Sequence, residues 1–221
     1  MATPGFTAEL SLQHDVDRQV VVNMLSVAHK YSFEPAWTVA FLDAMHADLT
    51  VQSYYIIDDS LRYVQGSAEV IGLMMGRIMN VPPEAYKAAV LQGRAMQWIN
   101  FIRDIAEDNA LGRQYFPQED LRRFNLPDLQ EKTARTQAMD FIDFMQFEVA
   151  RYHHWQKAAE AGYRFVPRRV RLPLQMAAAL YTWTAEVISR DPFIVFEQKV
   201  KPGRTQIFKA GIQQLLQHQV K

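Results

Sequence analysis

One stretch of the sequence constrains the fold more than any other, because it sets a row of polar side chains into an apolar helix. Asn100, Asp104 and Asp108 follow one another at intervals of four residues, which places them on one face of an α-helix. The residues around them predict burial: Trp98, Ile99, Phe101, Ile102, Ile105 and Ala106. Two carboxylates four residues apart repel each other by about 0.2–0.5 kcal/mol, and burial without a counter-charge adds to that cost. The row therefore predicts a nearby cation, either an arginine such as Arg103 or Arg113, or a divalent metal ion.

The rest of the sequence predicts an all-α protein. Apolar residues recur at helical spacing in seven segments: about 12–30, 34–49, 58–79, 83–108, 129–162, 172–189 and 206–218. No segment reads as a convincing strand, and residues 109–117 are expected to form a loop. With 221 residues and 49% hydrophobic content, the chain is long enough for one domain, residues 1–221, with a substantial core.

Composition and charge exclude several classes of protein. Lys+Arg and Asp+Glu both number 24, and this balance predicts that no nucleic acid is bound through bulk charge. The absence of cysteine excludes disulfides, thiolate zinc sites and cysteine nucleophiles. We expect no signal peptide, because no basic region followed by an apolar run opens the chain. No apolar run approaches the roughly 18 residues of a spanning helix, so a cytoplasmic location is expected.

Some residues allow both a structural and a functional interpretation. Gly66 and Gly72 lie inside the predicted helix 58–79, where each glycine costs about 1 kcal/mol relative to alanine. That cost predicts close approach by another helix or by a ligand. Asp43 and Asp48, taken alone, are interpreted as surface acids of the helix 34–49. A basic cluster is interpreted as solvated charge around a turn, with a phosphate or an anionic membrane surface as the alternative: Arg164, Arg168, Arg169 and Arg171.

The chemistry of the polar row fits a magnesium-diphosphate site. Magnesium takes oxygen ligands and is often held by one or two carboxylates together with substrate phosphates. A diphosphate leaving group needs a metal to neutralise it and cations or phenols to hold its oxygens, and Arg103, Arg113 and Tyr115 lie close in sequence. A purely structural, salt-bridged helix is the alternative at this point.

The stretch 97–117 also closely resembles the second aspartate-rich signature of a known family, the squalene/phytoene synthases, which are head-to-head prenyl-diphosphate synthases. It begins Gln97-Trp-Ile-Asn100-Phe-Ile-Arg103-Asp104 and ends Gln114-Tyr115-Phe-Pro117. Shorter segments resemble the same family in the same order: residues 41–49, 63–74, 166–181 and 195–200. The resemblance implies an isoprenoid-synthase-type helical bundle.

By position, the resemblance also implies roles for individual residues. Asp104 and Asp108, supported by Asn100, would bind Mg²⁺ that bridges to diphosphate. Arg103, Tyr63 and Tyr181 would complete the catalytic group. The substrate would be bound by Gln97, Asn100, Arg113, Tyr115 and Asp43, with Gly66, Ile71 and Met75 on the wall of an apolar tunnel.

One departure from the family pattern concerns its first aspartate-rich motif, an Asp-x-x-x-Asp on an early helix. Residues 1–40 hold no such motif, since Asp15 and Asp17 have the wrong spacing. The expectation is a chain that lacks the first helices of the family fold.

The function that the resemblance implies is the Mg²⁺-dependent head-to-head condensation of two prenyl diphosphates. The preferred reaction converts geranylgeranyl diphosphate into phytoene in carotenoid biosynthesis. One alternative is a squalene or dehydrosqualene synthase that uses farnesyl diphosphate, with NADPH needed only for squalene. Another is a non-catalytic prenyl-lipid-binding or truncated helical subunit. Peripheral contact with a membrane is expected because the product is a lipid, and the oligomeric state is left open.

Overall fold

The chain is helical through most of the part that this computed structural model describes, which is residues 15–219, with side chains for residues 17–212. It divides into two compact units, one up to Glu34 and one from Pro35 onward. In the first unit, α1 (Asp15–Lys30) is followed by a turn in which Ser32 adopts the left-handed conformation, with a φ of 52°. The predicted start of this helix, residues 12–14, lies outside the described residues.

The second unit contains the remaining elements. In chain order they are α2 (Pro35–Thr50), β1 (Ser53–Tyr54), α3 (Ile57–Val64), a π-helical segment (Gln65–Glu69), α4 (Val70–Ile78), a 3₁₀ turn (Pro83–Ala85), α5 (Tyr86–Arg103), α6 (Ile105–Ala110), β2 (Gln114–Pro117), α7 (Gln118–Arg123), α8 (Glu131–Thr136), α9 (Ala138–Ala159), a 3₁₀ segment (Glu160–Phe165), α10 (Arg168–Arg190), α11 (Ile194–Glu197) and α12 (Arg204–Gln219). The predicted all-α class is confirmed.

The expectation of no strand was wrong. β1 and β2 form a short parallel pair in which Ser53 aligns with Gln114 and Tyr54 with Pro117. The backbone N–H of Gln114 also donates to the carbonyl oxygen of Gln52, at 2.8 Å. Strands of two and four residues are too short to show an alternating pattern, and their pairing depends on segments about 60 residues apart in the sequence. The pair ties the segment after α6 to the connection between α2 and α3.

The core lies where α5 packs along α9. Trp98, Ile99 and Ile102 on α5 are at most 1% exposed, as are their counterparts Phe141, Phe144, Met145 and Tyr152 on α9. These side chains stand three and four residues apart, so each helix buries one continuous apolar face. The buried face of α5 is therefore packed against α9, and this packing fixes the position of the polar row.

Small residues let α4 and α5 approach each other closely. A Cβ on Gly72 would lie 2.3 Å from the carbonyl oxygen of Ala89, and one on Gly93 would lie 2.4 Å from that of Ala68. Gly66 faces α2 instead, where a Cβ would lie 2.2 Å from the carbonyl oxygen of Ala40. Of the two predicted reasons for these glycines, helix packing is the one the structure displays.

Candidate active site

The polar row lies at a local irregularity of the central helix. The sequence predicted one helix to residue 108, but the backbone leaves helical geometry at Asp104, where φ is −101° and ψ is 15°. This is the sparsely populated bridge region in which many active-site residues are found. The backbone N–H of Asp104 still donates to Asn100, and that of Asp108 to Asp104, both at 2.8 Å. The row therefore keeps its four-residue register through the irregularity.

Asp104 is neutralised within the protein. Arg103 donates to both of its carboxylate oxygens, from Nε at 2.8 Å and from Nη2 at 2.6 Å, and the Lys199 ammonium lies 3.0 Å from Oδ1. Burial alone would raise the pKa of Asp104, but the hydrogen bonds from Arg103 and Lys199 hold that pKa below its ordinary value. Lys199 also pairs with Glu107. The sequence analysis gave Lys199 no role, because it lies 95 residues after Asp104 in the chain.

Asp108 and Asn100 are left without such compensation. Burial and the neighbouring charge of Asp104 raise the pKa of Asp108 to about 7, and Arg113 offsets this only in part. The side-chain oxygen of Asn100 is buried and has no hydrogen-bond partner among the described residues. On one helix face, Asn100 Oδ1 thus lacks a donor and Asp108 is only partly compensated by Arg113 and Lys199, and this pair of oxygen ligands fits a hard divalent cation.

A cation here would take few ligands from the protein itself. Across the described residues, no group of three or more His, Asp or Glu side chains is arranged to hold a metal ion. Mg²⁺ keeps several waters and is often bound through one or two carboxylates together with substrate phosphates. Asn100 and Asp108 could supply the protein's share of such a site.

A cluster of tyrosines stands beside the row. The Tyr115 hydroxyl donates to Asp48 Oδ1 at 2.9 Å, while its ring stacks on Phe101 at a centroid distance of 4.5 Å. The ring of Tyr63 lies 5.0 Å from that of Tyr115. Burial, and then the neighbouring Tyr115 and Asp48, raise the pKa of Tyr63, so this phenol remains a proton donor at neutral pH. Asp48 was interpreted as a surface acid, and its contact with Tyr115 was not visible in the sequence.

Arg113 and Tyr181 reach the row from two other segments. Gly112 takes a left-handed φ of 68°, which turns the chain after α6. The charge of Arg113 lowers the pKa of Asp108. The neighbouring Tyr115 in turn raises the pKa of the Arg113 guanidinium. Tyr181, half-buried on α10, contributes to the raised pKa of Arg103, after the stronger hydrogen bond from Arg103 to Asp104.

Next to the row lies an apolar cavity of about 310 Å³ between α4, α5 and the segment 159–174. Its wall includes three residues that the resemblance implied: Gln97, Ile71 and Met75. Gln97 stands one helical turn before Asn100, so this end of the cavity adjoins the polar row. The other lining residues are Ser67, Ala68, Gly72, Gly76, Met79, Val81, Ala85, Ala88, Ala89, Gln92, Gly93, Met96, Ala159, Gly162, Tyr163, Val166 and Leu174.

Two of the implied substrate residues are placed differently. Gly66 is not among the residues that line this cavity; it is held against the backbone of α2, and its place on a tunnel wall stays a prediction. Asp43 is exposed on α2, where it has no recorded partner among the described residues. Asp48, five residues later, is the acid of α2 that joins the tyrosine cluster.

The helical bundle has the isoprenoid-synthase fold, which it shares with solved structures. A sequence model of the squalene/phytoene synthase family matches residues 6–206, and the chain belongs to this family. The members of the family and the relatives that the chain matches are prenyltransferases.

Individual relatives show the same likeness. The chain is 28% identical over 173 residues to a 15-cis-phytoene synthase of Synechococcus elongatus, covering 72% of this chain and 55% of that protein. It is 32% identical over 161 residues to a 15-cis-phytoene synthase of Enterobacter agglomerans, covering 70% and 52%. The chain thus spans about half the length of these relatives.

Solved structures share the fold. A dehydrosqualene synthase in complex with ligand superposes with a TM-score of 0.76 at 18% identity, over 86% of this chain and 67% of that one. Squalene synthase HpnC from Alicyclobacillus acidocaldarius gives a TM-score of 0.69 at 22% identity, over 75% and 63%.

Proposed function

We propose that this chain carries the second-motif side of a magnesium-diphosphate site, together with a prenyl-binding cavity, for the head-to-head condensation of two prenyl diphosphates. The observation that carries the proposal is the position of two oxygen ligands, the unpartnered Asn100 Oδ1 and the partly compensated Asp108, on the helix face that continues from Gln97 in the wall of an apolar cavity. A prenyl diphosphate has the complementary shape, because it joins an anionic head to a hydrocarbon tail.

The residues divide the work by chemistry. Asn100, Asp104 and Asp108 would hold Mg²⁺, which supplies charge neutralisation for the departing diphosphate. Arg113 and Tyr115 hold diphosphate oxygens with a cation and a phenolic donor, whereas Arg103 keeps Asp104 ionised and oriented. Tyr63, which stays protonated, donates in the same region.

The role of the cavity is to keep water away from the reacting carbons. An allylic cation is captured by any water molecule that reaches it, so the reaction needs an apolar wall around the reacting carbons. Ile71, Met75 and Met96 contribute apolar surface without a hydroxyl or amine to that wall, and a bound prenyl chain would cover Ile71 and Met75, which are 37% and 46% exposed. The first substrate ionises with release of diphosphate, and its allylic cation is attacked by the double bond of the second. Loss of a proton from the resulting cation closes the three-membered ring, so the step gives a cyclopropylcarbinyl diphosphate, diphosphate and one proton.

The preferred substrate is geranylgeranyl diphosphate, with phytoene as the product. The relatives named as phytoene synthases, at 28–32% identity, support this choice. Farnesyl diphosphate, giving dehydrosqualene or squalene, is the competing assignment, and only squalene formation would require NADPH as well.

A second candidate function is a prenyl-diphosphate binder that does not condense its ligand. The observation in its favour is that Asp104 is already paired with Arg103 and Lys199, so Asn100 and Asp108 are the members of the row left to meet a bound ligand.

One experiment separates the two functions. The chain is incubated with Mg²⁺ and radiolabelled geranylgeranyl or farnesyl diphosphate, and both diphosphate release and C40 or C30 hydrocarbon are measured. We expect release that depends on Mg²⁺ and falls at least about a hundredfold in Asp108→Asn, the order of loss seen when one electrostatic transition-state contact is removed. Tight binding without any release would identify the binder and overturn the synthase.

A further inference from the structure

Two segments of the chain are basic and contain no acid. Residues 161–185 carry Arg164, Arg168, Arg169 and Arg171 without a single Asp or Glu, and residues 198–221 carry Lys199, Lys201, Arg204, Lys209 and Lys221, again without an acid. The whole chain has equal numbers of basic and acidic residues. Positive charge is therefore concentrated around the start of α10 and around α12, apart from Lys199, which is paired with Asp104 and Glu107. α10 and α12 pack against each other.

The first segment holds three exposed arginines at the rim of the cavity. Arg171 is used internally, since its Nη2 donates to the carbonyl oxygens of Arg164 and Val166 at 3.0 and 2.9 Å. Arg164, Arg168 and Arg169 are exposed, and within the described residues none of them forms a recorded ion pair. They alternate in sequence with residues that line the cavity, namely Gly162, Tyr163, Val166 and Leu174.

The second segment adds an exposed apolar face with a basic residue at its start. Arg204, Phe208 and Ile212 stand four residues apart, so they share one face of α12. Phe208 is 70% and Ile212 is 43% exposed. The opposite face is occupied, because Ala210 is buried. Gly211 borders the exposed face, about 60° from Phe208 around the helix, and a Cβ placed on it would lie 3.3 Å from the Met176 side chain of α10.

The two groups are neighbours on the molecule. Met176 follows Arg169 by seven residues on α10, which is about 10 Å along the helix axis. The Gly211 contact thus brings α12 to within two helical turns of the arginine rim. We name the combined surface, made of Arg164, Arg168, Arg169, Arg204, Phe208 and Ile212, the basic-apolar surface.

We propose that the basic-apolar surface docks on an anionic lipid bilayer. Charge complementarity identifies the occupant: basic side chains around an exposed phenylalanine and isoleucine match lipid phosphates above an acyl layer. Long arginine side chains reach the headgroups while their stems cover apolar surface. No helix in the described part of the chain is long and apolar enough to cross a membrane, so the contact lies at the surface of the bilayer.

The test is co-sedimentation of the chain with vesicles, without prenyl diphosphate or Mg²⁺. We expect binding to vesicles that contain phosphatidylglycerol and little binding to phosphatidylcholine alone. Arg168→Gln/Arg169→Gln lowers the partition coefficient about thirtyfold, because each basic residue near an anionic surface contributes about fivefold. Phe208→Ser also lowers the partition coefficient relative to the wild type, and it removes the component of vesicle binding that persists at high salt. The control Arg122→Gln/Lys132→Gln removes the same charge from α7 and α8, where both side chains are exposed, and leaves binding unchanged.

Three results would overturn the proposal. The first is equal binding to neutral and anionic vesicles, and the second is an equal loss in the control variant. The third is a chain that dimerises through this face, seen by light scattering as a dimer that Phe208→Ser dissociates while vesicle binding stays the same. A chain that binds vesicles but releases no diphosphate would count against the proposed function alone, so the two failures are distinguishable.

Discussion

At the scale of single residues, two carboxylates one helical turn apart have opposite environments. Asp104 accepts three hydrogen bonds or ion pairs from Arg103 and Lys199, whereas Asp108 is half-buried beside like charge and its pKa is raised to about 7. Asp104 is therefore ionised and fixed before any ligand arrives. Asp108 gains most from an added cation, because that cation removes the repulsion which the protein leaves in place.

This asymmetry predicts that Asp108 reduces stability when no metal is bound. Asp108→Asn removes a charge that is unfavourable above pH 7, so at pH 8 without divalent metal we expect a gain of about 1 kcal/mol, kept small because the group is partly solvated. For a chain of this size the gain raises Tm by about 2–4 °C. The measurement is a thermal scan in EDTA. Glu107→Gln is the control, since it removes a partner of Lys199 and lowers Tm or leaves it unchanged; a lower Tm in Asp108→Asn would contradict the assignment.

A second residue effect comes from a buried glutamate in the core. Glu148 is fully buried, accepts a hydrogen bond from Trp98 Nε1 at 2.9 Å, and shares Arg151 with Asp120, which lies 2.6 Å from that arginine. Burial raises the pKa of Glu148 to about 8; Arg151 opposes this shift and Asp120 adds to it. The folded state thus holds a proton that the unfolded state releases near pH 4.5.

The sign of the pH dependence follows from this proton. Between about pH 4.5 and 8 the folded protein binds more protons than the unfolded one, so the free energy of unfolding falls as pH rises, by at most about 1.4 kcal/mol per pH unit. Urea unfolding at pH 5.5, 7 and 8.5 measures the slope. Glu148→Gln keeps an oxygen for Trp98 and makes the curve less steep, leaving the smaller slope that Asp108 contributes, whereas the exposed Glu160→Gln leaves the curve as in the wild type. A wild-type free energy of unfolding that rises over this pH range would contradict the prediction.

At the scale of elements, the approach of α4 to α5 depends on two reciprocal glycines, Gly72 and Gly93. Alanine is the better helix former by about 1 kcal/mol, yet a Cβ at Gly93 would lie 2.4 Å from a backbone oxygen that cannot move alone. We expect Gly93→Ala to destabilise the protein by about 1–3 kcal/mol and to weaken prenyl-diphosphate binding, because both glycines line the cavity.

Gly211→Ala is the matched test of that argument. Its Cβ would meet the end of the flexible Met176 side chain at 3.3 Å, which can turn aside, so stability should change by less than about 0.5 kcal/mol or rise. Chemical denaturation of both variants measures the difference, and equal destabilisation of the two would refute the distinction between backbone and side-chain contacts.

Periodicity was enough to find the helices but not their interruptions. Apolar spacing predicted the central helix and its buried face, since Trp98, Ile99 and Ile102 repeat at helical intervals. It did not predict the irregular backbone at Asp104 or the π-helical turn at Gln65–Glu69, because a single shifted hydrogen bond leaves the apolar pattern unchanged. The short strands were missed for a related reason: their pairing is a long-range contact with no local signal.

The candidate site divides in the same way. The row Asn100, Asp104 and Asp108 is local in sequence, so its spacing alone revealed it. Lys199 and Asp48 come from other elements, and only the packing of α11 on α6 and of the tyrosines on α2 brings them to the row. A polar residue whose partner is distant in sequence has no local spacing that would predict its role. A resemblance to a family predicts that role only if the residue belongs to the family's motif.

At the scale of the whole molecule, the row and the cavity are two ends of one binding region. α5 supplies both, because Gln97 stands on the cavity wall one turn before Asn100. A ligand that fills only one end leaves the other unsatisfied: diphosphate alone leaves apolar wall exposed, and a hydrocarbon alone leaves Asn100 Oδ1 and Asp108 uncompensated. Tail and head should therefore contribute to binding together.

The joint contribution can be measured as thermal stabilisation by a prenyl thiodiphosphate, which resists ionisation. With Mg²⁺ and this ligand at about a hundred times its Kd, we expect roughly 2.7 kcal/mol of stabilisation, or an increase in Tm of about 5–10 °C. Mg²⁺ alone, or the ligand with EDTA, should give a much smaller shift. Methylenediphosphonate with Mg²⁺ lacks the tail and should stabilise little, and Asp108→Asn should lose the part that depends on Mg²⁺ while keeping its higher starting Tm. If methylenediphosphonate stabilised the chain as much as the prenyl ligand does, the cavity would have no part in binding, and the link between row and cavity through α5 would be wrong.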